Sequence, residues 1–223
     1  MGRPRGAMAA RTRAAVHAPD SARSRLLASQ HGKALPAVIL GVDPGERSGW
    51  SLWAAGRLTD YGACSPYDDP AHQRVVRVAL TEAADRGEPL IMVTEAWGQR
   101  WRGLSGAASA MGARKLWERS LAAQQRDVRA IPAPHVVRAH VATWRSSFGG
   151  RVGMTSERAK GWAMWAVTRR RTGAVLREGD HDIAEAILIG EWGTRARPVA
   201  DVIPGRVLRA WAKDTSTAAT VRR

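Results

Sequence analysis

The chain has 223 residues, with 35 Lys and Arg against 20 Asp and Glu, a formal net charge of +15. Its length fits one domain with extensions, and no apolar run approaches the roughly 18 residues that a membrane span needs. The single cysteine, Cys64, excludes an internal disulfide framework and cysteine-based zinc sites, and suits a reducing cytoplasm. Charge of this sign and size points to a polyanionic partner, with nucleic acid ahead of an anionic membrane surface.

The excess charge is concentrated at the ends. Residues 1–36 hold seven basic residues and one acid, without sustained apolar periodicity. They read as a flexible basic arm, a composition shared with organellar targeting segments. Residues 37–193 hold 21 basic and 17 acidic residues, the balance of a globular unit, and residues 194–223 return to seven basic and two acidic, a basic tail.

Within the central unit, Ala37 to Val42 is a nearly continuous apolar run, the pattern of a strand buried on both faces. Asp43-Pro44-Gly45 ends it with turn residues. Ser48 to Ala54 and Leu58 to Ala63 read as two further strands, with Ala55-Gly56-Arg57 as the hairpin turn between them. A helix is predicted over about 71–86, where Val75, Val76, Ala79, Leu80 and Ala83 recur at helical spacing. Leu90 to Thr94 is another buried strand and ends at Glu95. A second helix is expected over about 105–124, then a fifth strand at Val128–Ile131 stopped by Pro132 and Pro134. A third helix covers about 156–170, with Ala159, Trp162, Ala163, Ala166 and Val167 as its apolar stripe. A last helix covers about 181–192, with Ile183, Ala184, Ile187 and Leu188 on one face. Trp50, Trp53, Trp117, Trp162 and Trp165 fall in these elements and are assigned to the core.

Acids stand at positions that carry chemistry. Asp43 and Glu95 each follow a buried strand, where side chains line a cleft in sheet-centred folds. One such acid alone reads first as a structural group such as a helix cap, but two on different strands point to a site. Asp182 and Glu185, three apart, project from neighbouring positions on the last helix. Taken alone, this pair reads as a solvated helix start favoured by the dipole. Together, four carboxylates suit phosphodiester hydrolysis with two metal ions, since Mg²⁺ prefers oxygen ligands and a pair of ions can serve both the attacking and the leaving oxygen. Other chemistries fit less well. Gly41 to Gly49 lacks a Gly-Lys-Ser/Thr ending and a Gly-x-Gly-x-x-Gly fingerprint. Gly103-Leu104-Ser105-Gly106-Ala107 misses the spacing of a hydrolase nucleophile elbow.

The run Ile39 to Gly45, followed by Ser48-Gly49-Trp50-Ser51, resembles the first motif of RuvC-like Holliday-junction resolvases: a strand, Asp-Pro-Gly, then a small residue, Gly and an aromatic. Ile91 to Glu95 resembles their second motif. Ser105 to Leu116 resembles the small-residue helix that follows, and Ile131 to Arg138 the fifth strand with its proline-containing exit. Asp182 to Ile189 resembles the final acid-x-x-acid helix. The likeness runs in order over residues 37–192. It implies an α/β ribonuclease H-like fold, a five-stranded mixed sheet flanked by helices. It also implies a homodimer, Mg²⁺ or Mn²⁺ with two ions per site, and paired nicks across four-way junctions or other branched DNA. Asp43, Glu95, Asp182 and Glu185 would be the catalytic metal ligands. The family's last acid is usually Asp, so Glu185 departs from it by a methylene. His181 could assist or replace Asp182, and Asp180 competes for the same role. The family also places an aromatic just after its second acid and basic residues on the third helix. On that basis Trp97, Arg100, Trp101, Arg102, Arg158 and Lys160 are candidate DNA contacts, and Lys160 is also a candidate catalytic group near the scissile phosphate. Two alternatives share the fold: a nuclease acting on RNA–DNA hybrid or other DNA, and a non-catalytic DNA-binding scaffold.

Overall fold

A computed structural model describes residues 33–65, 68–96, 107–126, 132–151 and 153–220. Five strands form one sheet: β1 (Val38–Asp43), β2 (Ser48–Ala54), β3 (Arg57–Cys64), β4 (Leu90–Ala96) and β5 (His135–His140), in the order β3-β2-β1-β4-β5. β1 pairs antiparallel with β2, and β2 with β3. β1 pairs parallel with β4, and β4 with β5. This mixed sheet, with its three-stranded meander followed by two crossovers, is the ribonuclease H-like arrangement.

Seven helices are described: α1 (Asp69–Arg86), α2 (Ala107–Gln125), α3 (Val141–Ser146), α4 (Ser156–Arg170), α5 (His181–Gly193), α6 (Arg197–Ala200) and α7 (Gly205–Thr220). Local chemistry sets several boundaries. Asp68 caps α1 by accepting a hydrogen bond from the Ala71 amide at 2.9 Å, and Gly87 ends the helix in the left-handed region at φ 63°. The β2–β3 hairpin turns on Ala55 and Gly56, both at positive φ. A two-residue turn of that hand matches the strand twist. It costs alanine of the order of 1 kcal/mol relative to glycine.

The two faces of the sheet do different work. Because side chains alternate along a strand, Val38, Leu40, Val42, Leu90 and Met92 face one way. They pack with Val76, Leu80, Trp117 and Leu121 of α1 and α2 in one core. Ile39, Gly41, Ile91 and Val93 face the other way, toward α5. On this side the approach is unusually close. A β-carbon on Gly41 would lie 2.6 Å from the Ala186 carbonyl and Gly190, and one on Gly49 would lie 2.0 Å from the Asp182 carbonyl. Ser51 Oγ donates to the Ala186 carbonyl at 2.7 Å and accepts from Trp53 Nε1 at 3.1 Å. Glycines in the strands therefore let α5 lie almost on the backbone of β1 and β2.

Two expectations need correction. The fifth strand of the sheet is His135–His140, so Pro132 and Pro134 precede it instead of stopping it; Val128–Ile131 lies outside the described residues. The mixed burial of β5 reflects its place at the sheet edge, where an apolar run is not needed. Trp165 is 54% exposed and does not belong to the core, since it lies off the apolar stripe of α4. The described part of 194–223 carries α6 and α7, with Ile203 and Leu208 buried. No helix among the described residues is long and apolar enough to cross a membrane.

Candidate active site

Strand alternation decides where the first two acids point. Asp43 continues the face of Ile39 and Gly41, and Glu95 continues that of Ile91 and Val93. β1 and β4 run parallel with Val42 opposite Thr94, so Asp43 and Glu95 stand side by side one step further on. Both face α5. That helix, lowered onto the sheet by Gly41 and Gly49, brings Glu185 over them. Carboxylate oxygens of Asp43, Glu95 and Glu185 all lie within 4.8 Å of one another. Three elements distant in sequence thus deliver three acids to one point.

The sequence reading missed two residues of this site, Trp144 and Arg145, both on the short helix α3. Trp144 is fully buried and its Nε1 donates to Glu95 Oε1 at 3.1 Å. Arg145 Nη2 donates to Glu185 Oε1 at 2.7 Å, with side chains only 16% and 12% exposed. The Arg145 guanidinium carbon also lies 5.1 Å from the Trp144 ring centroid. Its Nε is buried without a hydrogen-bond partner among the described residues. A six-residue helix carries too little periodicity to announce itself, and a Trp-Arg pair belongs to no motif read in the sequence.

The acids strain against one another electrostatically. Burial, followed by Glu185, Glu95 and Asp182, raises the Asp43 carboxyl well above its ordinary range, with Arg145 opposing. Burial and then Glu185 push Glu95 up to about 7, against the pull of Arg145 and the Trp144 hydrogen bond. Glu185 is raised by burial, opposed by Arg145 and raised further by Asp182. Asp182 is raised by burial, against His181, Arg47 and Lys160.

Asp182 stands beside the three-acid cluster, with His181 Nε2 3.0 Å from its Oδ1. Asp180 is used differently. Its Oδ1 takes the Arg47 guanidinium at 2.9 Å, its Oδ2 accepts from the Arg177 amide at 2.9 Å, and its carboxyl is held below the usual range by these bonds. It ties the β1–β2 turn to the approach of α5. Lys160 is 3.7 Å from Glu157 and close enough to lower the Asp182 carboxyl, while Arg158 is exposed on the same helix. Trp97, Arg100, Trp101 and Arg102 lie outside the described residues.

The donor set fits a divalent cation. Hard oxygen ligands at close quarters, undercompensated by one guanidinium, are what Mg²⁺ or Mn²⁺ selects. A doubly charged ion would offset the burial, and for Asp43, Glu95 and Glu185 the repulsion as well, that raise these carboxyls.

No family model matches the chain, and no curated protein matches it. Among solved structures, RuvC of Thermus thermophilus is similar over 71% of this chain and 93% of its own, at 15% identity and a TM-score of 0.44. The yeast mitochondrial Holliday junction resolvase Ydc2 is similar over 87% of this chain and 89% of its own, at 9% identity and a TM-score of 0.44. The strand order β3-β2-β1-β4-β5 is by itself that of a ribonuclease H-like sheet. Asp43 ends β1, Glu95 stands near the end of β4, and Asp182 and Glu185 lie in the first turns of α5.

Proposed function

We propose that this chain is a metal-dependent endonuclease that cleaves branched DNA, with four-way junctions as its substrate. The observation that carries the reading is the convergence of Asp43, Glu95 and Glu185 within 4.8 Å. Buried like charges cost stability, and the gathering of three of them from separate elements at the end of the central strands supports a cation site.

In this reading Asp43, Glu95 and Glu185 hold a divalent ion, and Asp182, with His181 beside it, completes the ligand set for a second. When bound, such ions supply an activated water and neutralise charge on the phosphate undergoing displacement. The protein's own residues do the rest. Trp144 fixes the orientation of Glu95. Arg145 fixes Glu185 and presents a buried Nε–H for which a phosphate oxygen is the natural acceptor. Lys160 and Arg158, on the helix bordering Asp182, contact the DNA backbone, as do Arg100 and Arg102, while Trp97 and Trp101 stack on bases opened at the branch.

Residues 37–193 form the catalytic domain, and the segments 1–36 and 194–223 add sequence-independent affinity through their excess of basic residues. A homodimer would supply two sites for the two strands of a junction. The resemblance of the sequence motifs to RuvC-like resolvases supports the choice of junctions and of a dimer, and a single reduced cysteine suits a cytoplasmic enzyme.

The test is cleavage of a labelled four-way junction, a matched duplex and an RNA–DNA hybrid, each with and without Mg²⁺ or Mn²⁺, by the full chain and by Asp43→Asn. Symmetric, metal-dependent nicks in the junction that vanish in the variant are expected. Preferential cutting of the hybrid would reassign the substrate. Tight junction binding with no cutting under any metal would make the chain a scaffold.

A further inference from the structure

The N-terminal part of α4 borders the acids through Lys160. Its far end carries features that the proposed chemistry leaves unused. Of the described tryptophans Trp165 alone is exposed, at 54%. The Arg169 guanidinium carbon lies 5.2 Å from its ring centroid, and Arg169 has no acidic partner among the described residues. Next to it, Arg170 sits 4.7 Å over the Phe148 ring while both its Nε and Nη2 donate to the Glu191 carboxylate. Phe148, Trp165, Ala166, Arg169 and Arg170 line one open cleft.

The cleft has a rigid wall and an adaptable one. Glu191 pins Arg170, so the Phe148 side is fixed. Arg169 reaches Trp165 only through its own helix turn (i, i+4) and is free to swing onto an anion. Arg158, seven residues before Trp165, falls on the same helical face and is also exposed. Arg158, Trp165 and Arg169 therefore form one stripe about 16 Å long at 1.5 Å per residue, with a cation at each end and an aromatic between. Of the cleft's apolar lining only Trp165 is exposed, far short of the apolar centre that a protein partner needs. A flat aromatic flanked by two exposed guanidinium groups matches a nucleobase and its phosphates.

We infer that Trp165, with Arg169 and Arg158, is a stacking subsite for an unpaired nucleotide of the DNA strand that leaves the acidic site along α4. The identity of the ligand as DNA rests on the proposed nuclease function; the subsite itself is a binding property and needs no cleavage to be seen.

The full chain, held in EDTA, is titrated into a thymidine oligonucleotide carrying one 2-aminopurine. Stacking on Trp165 quenches the probe. Trp165→Ala is expected to abolish the quench and weaken binding about tenfold, and Trp165→Phe to retain most of both. Arg169→Gln is expected to weaken binding and reduce the salt slope by about 0.7. Exposure of both side chains leaves the fold intact, which circular dichroism checks. Undiminished quench and affinity in Trp165→Ala overturn the subsite, whether or not the protein cuts junctions. An equal loss of affinity for matched duplex would also overturn it, since it would make the surface a backbone contact. Loss of the quench in a protein that cuts no branched DNA would sustain the subsite and reject the nuclease reading.

Discussion

Arg145 Nη2 lies 2.7 Å from Glu185 Oε1, so the guanidinium already neutralises part of the negative charge that a metal ion at the acid cluster would otherwise meet. Arg145 is therefore both a stabiliser of the metal-free protein and a competitor for the ion. Arg145→Gln should lower the metal-free melting temperature, since an ionised Glu185 loses its partner. For a pair slightly open to solvent this is of the order of 2 kcal/mol, below the cost of breaking a fully buried pair. The same variant should bind Mn²⁺ more tightly, by roughly tenfold if about 1.4 kcal/mol of competition is removed. Thermal melts and isothermal titration measure the two effects. Weaker Mn²⁺ binding in the variant would show that Arg145 organises the site without competing for it.

The raised carboxyls predict an inverse pH dependence of stability. A group whose folded pKa lies above its unfolded value stabilises the fold fully only below the unfolded value, and that contribution is lost as pH rises through the folded pKa. Glu95, at about 7 against an ordinary 4.5, places the loss between those limits, and Asp43, Asp182 and Glu185 add to it in the same direction. Without divalent ions the melting temperature should fall from pH 5 to pH 8. Added Mg²⁺ should raise it more at pH 8 than at pH 5, because the ion binds the deprotonated ligands. Asp43→Asn should flatten both trends. A metal-free melting temperature that rises across this window would contradict the assignment of these acids as a mutually repelling cluster.

The contact of α5 with β2 predicts a severe effect from a small change. A β-carbon at Gly49 would meet the Asp182 carbonyl at 2.0 Å, and that carbonyl is backbone, so the helix start must move. Gly49→Ala should cost about 1–3 kcal/mol, roughly 2–12 °C in a domain of this size. It should also separate Asp182 and Glu185 from Asp43 and weaken Mn²⁺ binding. Unchanged Mn²⁺ affinity in a destabilised Gly49→Ala protein would mean that the acids do not depend on how close the helix lies.

How far the sequence disclosed this site follows from the kind of signal each part left. β1 and β4 were legible because strands buried on both faces need continuous apolar runs, and an acid at the end of such a run stands out. α4 and α5 were legible from 3.6-residue periodicity. Asp182 and Glu185 alone read as a solvated helix start; that Glu185 stands over Asp43 and Glu95 depends on the glycines of β1 and β2, which let the helix descend, and their effect depends on which elements meet. β5 was misplaced because an edge strand lacks an apolar run and the prolines before it read as a stop. Trp144 and Arg145 left no signal at all, since a hydrogen bond to Glu95 and an ion pair with Glu185 are made across 49 and 40 residues.

Trp144 offers the finest test of the site, because its indole bonds to one acid alone. Nε1 donates to Glu95 Oε1 at 3.1 Å in a buried setting. A donor to a carboxylate favours the charged form, so this bond holds the Glu95 carboxyl below where burial and Glu185 would otherwise carry it. Trp144→Phe keeps most of the ring volume and removes the donor. Glu95 should then titrate at higher pH, and the pH at which Mn²⁺ binding reaches half its alkaline value should move upward by about 0.5–1 unit, the equivalent of a hydrogen bond worth roughly 1 kcal/mol. The alkaline plateau should stay near that of the unaltered protein, because an ionised Glu95 still binds. Mn²⁺ titrations across pH 5 to 9 separate this from damage to packing, which would depress affinity at every pH alike. A uniform loss with no displacement of the curve would reduce Trp144 to a filler of the core beneath Glu95.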